Sequence, residues 1–134
     1  MTFDCSVAVI AGGLSFEREV SLRSGRRVAD ALRERGYRVG ERDADHRLVE
    51  TLDTGEFDVA FLALHGRFGE DGTVASILEL LGIPYTGSSF HASRLAFDKL
   101  AAKSVLRRAG LSVPSAIPLT EGALRELGVG SLSS

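Results

Sequence analysis

The chain has 134 residues, of which 44% are hydrophobic and 25% charged, with a formal net charge of -2. That length suits one domain of ordinary size, able to bury roughly two-thirds of its unfolded surface. The balance excludes an intrinsically disordered chain, and the charge gives no basic footprint for nucleic acid or an anionic membrane. No apolar stretch approaches the length of a membrane span.

Cys5 is the only cysteine, so no intrachain disulfide can form, and a reducing, cytoplasmic setting is expected. At the head of an apolar run it reads as a small buried hydrophobe. Met1 to Asp4 lead straight into a strand-like segment, so no secretory signal peptide is expected.

Ser6-Val7-Ala8-Val9-Ile10-Ala11 is apolar and partly β-branched and stops at Gly12-Gly13, a buried strand followed by a glycine turn. Leu22, Gly25, Ala29 and Leu32 then fall at helical spacing, and Gly36 suits the left-handed residue that ends a helix. Tyr37 to Gly40 predict a short second strand, and Phe57 to Leu64 a third, covered on both faces. Val74, Ile77, Leu78 and Leu81 predict a helix capped by Asp71 or Thr73 and stopped by Gly82. Ile83 to Thr86 read as an edge strand, since Pro84 cannot donate a ladder hydrogen bond. Ser89 suits the cap of a single helical turn, and Asp98 that of a longer helix ending at Gly110. Glu121 to Leu127 suit a short helix, and Gly128 to Ser134 resemble a frayed end or linker. Strands alternating with helices predict an α/β fold with an open, mainly parallel, Rossmann-like sheet flanked by helices.

Ligands of such sheets bind beyond the carboxyl ends of the strands, where two unusual clusters fall. Gly12-Gly13-Leu14-Ser15-Phe16-Glu17-Arg18-Glu19-Val20-Ser21 follows the first strand. Glycines there let a ligand approach the backbone, although an ordinary strand-to-helix turn needs them as well. Glu17 and Glu19 either complement the helix dipole or hold a ligand ammonium by a charge-assisted hydrogen bond. Spacing alone leaves both readings open. The second cluster, His65-Gly66-Arg67-Phe68-Gly69-Glu70-Asp71-Gly72, packs a histidine, three glycines, an arginine and two carboxylates into eight residues. A lone histidine at a strand end is usually structural, but this density is more typical of a binding loop. A third candidate is Asp98-Lys99 with Lys103 one turn later, either a surface group or a cation reaching for phosphate oxygens. His46, His65 and His91 have no metal-ligand spacing, and no G-x-S-x-G elbow is present.

Together these segments resemble the N-terminal domain of D-alanine–D-alanine ligases, members of the ATP-grasp superfamily. The resemblance is carried by Gly12 to Leu22, His65 to Gly72, Leu78 to Ser88, and Asp98-Lys99 through Lys103 to Leu111. It implies a pre-ATP-grasp domain over residues 1–118 and the start of a linker over 119–134. It also implies the reaction: ATP phosphorylates the carboxylate of one D-alanine, and the amine of a second attacks the acyl phosphate. The product is the dipeptide used in peptidoglycan synthesis. By position, Glu17 resembles the carboxylate that holds the first substrate's ammonium, and Ser21 its supporting neighbour. His65 resembles the loop histidine near that substrate, and Lys99 the lysine sent to the nucleotide phosphates.

The resemblance further implies ATP and Mg2+, both held mainly by central and C-terminal regions with no counterpart in these residues, and a homodimer. The chain alone is therefore expected to be inactive. Two departures leave the second substrate open between D-alanine, D-lactate and D-serine. Ala75-Ser76 stands where the family usually has Gln-Gly, and Gly87-Ser88-Ser89 where it has Gly-Ser-Gly. A non-catalytic binding or dimerisation module is the alternative expectation. A Rossmann domain of an oxidoreductase is disfavoured by the missing G-x-G-x-x-G.

Overall fold

The computed structural model describes residues 3–127. Its contacts divide the chain into two compact units, one ending at Phe97 and the other beginning at Asp98. In the first unit three parallel strands stand in the order β2-β1-β3, with β1 Ser6–Ala11, β2 Arg38–Asp43 and β3 Val59–Leu62. Central β1 pairs along its whole length with β2, from Ser6↔Arg38 to Ala11↔Asp43, and from Val7 to Ile10 with β3. All six residues of β1 are buried.

The alternation along β1 divides the core. Ala8 and Ile10 pack with Leu48, Leu52, Phe57, Val74 and Leu78 on one face; Val7, Val9 and Ala11 pack with Ala29 and Ala63 on the other. Helix α1 (Arg18–Glu34) covers the second face, with Leu22, Val28 and Leu32 behind Ala29. Helices α2 (Leu48–Leu52) and α4 (Thr73–Leu81) supply the first. A parallel sheet covered on both faces is the expected α/β class. Cys5 is half-buried against the α1 side. Gly36 and Gly82 end their helices with φ of 87° and 68°.

Several boundaries differ from the sequence reading. β2 runs on through Glu41, Arg42 and Asp43, because main-chain pairing with β1 extends an edge strand regardless of side-chain polarity. β3 is shorter than Phe57 to Leu64; just before it the Asp58 carboxylate accepts from the Ser6 amide (2.7 Å) and hydroxyl (2.9 Å). Ile83 to Thr86 form a single parallel bridge, Ala60↔Tyr85, in place of a strand. The Ala60 amide donates to Pro84 and the Thr86 amide to Ala60, while the Thr86 hydroxyl accepts from the Leu62 amide. At α4 Gly72 occupies the cap position, and Asp71 accepts from the Thr73 amide. The turn after Ser89 extends to two turns as α5 (Phe90–Phe97). Glu79 holds that helix start by accepting from the Tyr85 hydroxyl (2.7 Å) and the Phe90 amide (3.1 Å), which lowers the Glu79 pKa and raises that of Tyr85. Helix α3 (Arg67–Glu70) lies within the second glycine-rich cluster.

In the second unit α6 (Lys99–Arg108) starts where Asp98 accepts from the amides of Leu100 and Ala101. Gly110 follows with φ 81°, and α7 spans Glu121–Leu127. The Gly/Ser tail expected over Gly128 to Ser134 lies outside the described residues. No described helix is long and apolar enough to cross a membrane.

Candidate functional site

The two glycine-rich clusters meet beyond the carboxyl ends of β1 and β3, and three serines tie them together. Ser21, fully buried on α1, accepts from the Gly12 amide (2.8 Å) and donates to the Ala63 carbonyl (2.8 Å). Ser15 donates to the His65 carbonyl at 2.9 Å and accepts from the Glu17 amide at 3.1 Å. Ser24 lies 3.2 Å from Nε2 of His65. Residues 50 apart in the chain are thus held side by side.

A second set of contacts fixes the same loop to β2. Asp43 accepts from both guanidinium nitrogens of Arg18 and from the Gly13 amide (3.0 Å), while Arg18 also donates to the Gly13 carbonyl (3.1 Å). The guanidinium hydrogen bond is the chief reason the Asp43 pKa lies below 3.8, and the same contact raises that of Arg18. The acidic end of β2 is therefore engaged within the protein.

Glu17 occupies the N-cap position of α1, yet its side chain makes no capping hydrogen bond. Instead one oxygen each of Glu17 and Glu70 and a ring nitrogen of His65 lie within 4.8 Å of one another. Gly66 makes this approach possible. At φ 75° and ψ -167° it occupies a region open essentially to glycine alone, and a Cβ there would stand 3.0 Å from Ser15 and 3.3 Å from the Glu17 carboxylate. Two exposed carboxylates beside a half-buried imidazole suit an organic ammonium, which takes several charge-assisted hydrogen bonds at once. The same donors could also bind a metal that accepts imidazole. Mg2+, which prefers an octahedron of oxygens, does not fit a set with nitrogen as one donor in three.

Next to this cluster a crevice of about 260 Å³ opens beyond the strand ends, lined by Gly12, Gly13, Leu48, Leu64, Phe68 and Val74 among others. Among the residues expected from sequence, Glu17, Ser21 and His65 therefore share one neighbourhood. Ser21 reaches it only through the main chain it holds. Lys99 is the exposed first residue of α6 in the second unit. Glu70, one of the two carboxylates of the dense second cluster and given no individual role by the sequence, joins Glu17 and His65. Ala75 is buried in α4, and Ser76 donates back to the Thr73 carbonyl.

Residues 40–88 match the family model described as D-ala D-ala ligase N-terminus. The chain is 53% identical over 116 residues to the D-alanine–D-alanine ligase of Desulforudis audaxviator, and 51% identical over 116 residues to that of Syntrophotalea carbinolica. Each alignment covers 87% of this chain and 38% of the relative, so the chain spans well under half the length of the curated relatives it matches. Among solved structures it is similar to the D-alanine–D-alanine ligase from Bacillus anthracis complexed with ATP, at 35% identity and a TM-score of 0.75. That match covers 92% of this chain and 45% of the other. The Aeromonas hydrophila enzyme gives 30% identity and a TM-score of 0.75, covering 95% and 56%. In sequence and in fold alike, the chain belongs to the D-alanine–D-alanine ligase N-terminal domain family.

Proposed function

We propose that these residues form the first-substrate wall of a D-alanine–D-alanine ligase, an ATP-dependent carboxylate–amine ligase that makes the dipeptide for peptidoglycan synthesis. The observation that carries this reading is the convergence of Glu17, His65 and Glu70 beyond the strand ends. Glu17 takes the ammonium of the first D-alanine, and His65 stands beside it to orient the carboxylate. Ser21 contributes by holding Gly12 and Ala63, which set the height of the two loops.

ATP supplies the phosphoryl group that converts the substrate carboxylate into an acyl phosphate, with phosphate leaving when the second amine attacks. Lys99 is the residue of this chain assigned to the nucleotide phosphates, where a compact ammonium stabilises charge on transferring oxygens. Mg2+ is assigned to other regions of the protein, because the donor set here does not suit it. Residues 1–118 make up the substrate domain of this proposal and 119–134 the start of a linker. A cytoplasmic homodimer is the expected form, with D-alanine ahead of D-lactate or D-serine as second substrate.

Phosphate release dependent on ATP and D-alanine tests this. The 134 residues alone should be silent. A hybrid in which they replace the matching N-terminal part of the Desulforudis audaxviator ligase should turn over. A folded hybrid without turnover would contradict the reading.

A further inference from the structure

We propose that Ser24 is a positioning residue that fixes the imidazole of His65 from α1. A serine inside a helix ordinarily bonds to the carbonyl one turn earlier or faces water. The Ser24 hydroxyl instead lies 3.2 Å from Nε2 of a histidine 41 residues away. It follows Ser21 by three positions, so both hydroxyls leave α1 on the side that faces the end of β3.

The two ends of His65 are therefore held by one segment. Ser15 takes its carbonyl, and Ser24 takes its ring. A histidine on a glycine-flanked loop otherwise has free χ1 and χ2 rotations, and fixing them before substrate arrives removes an entropic cost from binding. The contact also selects a tautomer. Nε2 either accepts the Ser24 proton, leaving the ring proton on Nδ1, or donates its own to the hydroxyl, and one of the two arrangements is held. An imidazole so held keeps its ring in a fixed orientation beside the Glu17 and Glu70 carboxylates. The role of His65 as a substrate contact rests on the ligase reading above; the fixing of its ring does not.

The test is read on the 134-residue chain without substrate. Long-range proton–nitrogen spectra at about pH 8, where an ordinary imidazole is neutral, report the His65 tautomer. In the unaltered chain the two ring nitrogen shifts should stand well apart. Ser24→Ala should bring them together toward the unconstrained mixture, and Ser24→Thr, which keeps the hydroxyl, should restore the separation. Ser15→Ala should leave the ring nitrogens separated, since it releases only the carbonyl. Unchanged His65 signals in folded Ser24→Ala, or failure of folded Ser24→Thr to restore them, would overturn the proposal. Because no substrate takes part, these outcomes are independent of the ligation test.

Discussion

The Ser21 hydroxyl donates to the Ala63 carbonyl at 2.8 Å across 42 residues of sequence, and in the same position accepts from the Gly12 amide. One fully buried oxygen thereby joins the ends of β1 and β3 under the two loops of the site. Ser21→Ala leaves both main-chain groups without that partner. The expected loss is about 2–4 kcal/mol, from two buried groups at ~1–3 kcal/mol each with partial relaxation. Urea unfolding measures it directly.

Gly25 lets α1 approach the sheet. A Cβ at this position would lie 2.5 Å from the Ala11 Cβ, which is fixed to the central strand. Alanine in a helix interior normally gains up to about 1 kcal/mol over glycine. Here overpacking of about 1–3 kcal/mol should outweigh that gain, so Gly25→Ala lowers the thermal midpoint. A raised midpoint would show that α1 is free to move away from β1.

Gly66→Ala combines strain with displacement. The backbone conformation costs a non-glycine residue on the order of 1–3 kcal/mol. The new methyl would also press on Ser15 and toward the Glu17 carboxylate. The hybrid ligase carrying this change should lose turnover while still folding at low temperature, as steady-state kinetics and circular dichroism would show together.

The Arg18–Asp43 pair gives the stability curve part of its acid limb. Folding lowers the Asp43 pKa, so the pair's contribution is full above the ordinary value of 3.8 and lost as pH falls from there through the lowered value. Both side chains are about a third or more exposed, which limits the effect. Asp43→Asn should lower the urea midpoint at pH 6, and the gap to the unaltered chain should narrow as pH falls below 3.8. Asp58 and Glu79, also lowered, contribute equally to both proteins.

Much of this arrangement is legible in the sequence where one residue type has one strong physical use. Val74, Ile77, Leu78 and Gly82 mark α4, and the buried run of β1 ends at its glycines as expected. The polar end of β2 is not legible, because Glu41, Arg42 and Asp43 look like loop residues until the ladder with β1 is known. The five-residue α2 rests on Leu48 and Leu52 alone, too short a pattern to separate from a turn. Among site residues, Glu17 and His65 stand out by composition around them. Glu70 shares the His65 cluster but is not distinguished within it from Asp71, and Ser24 carries no signal, since its contact with His65 arises only once the second loop meets α1.

Glu17 is proposed to receive the ammonium of the first D-alanine. Its carboxylate makes no capping bond in α1, so Glu17→Gln should leave the urea midpoint unchanged. In the hybrid ligase, steady-state kinetics with Glu17→Gln measure that contact. The kcat/KM for the first D-alanine should fall roughly 10- to 100-fold, the loss of one hydrogen bond to a charged group. An active hybrid whose kcat/KM is indifferent to Glu17→Gln would contradict the proposal.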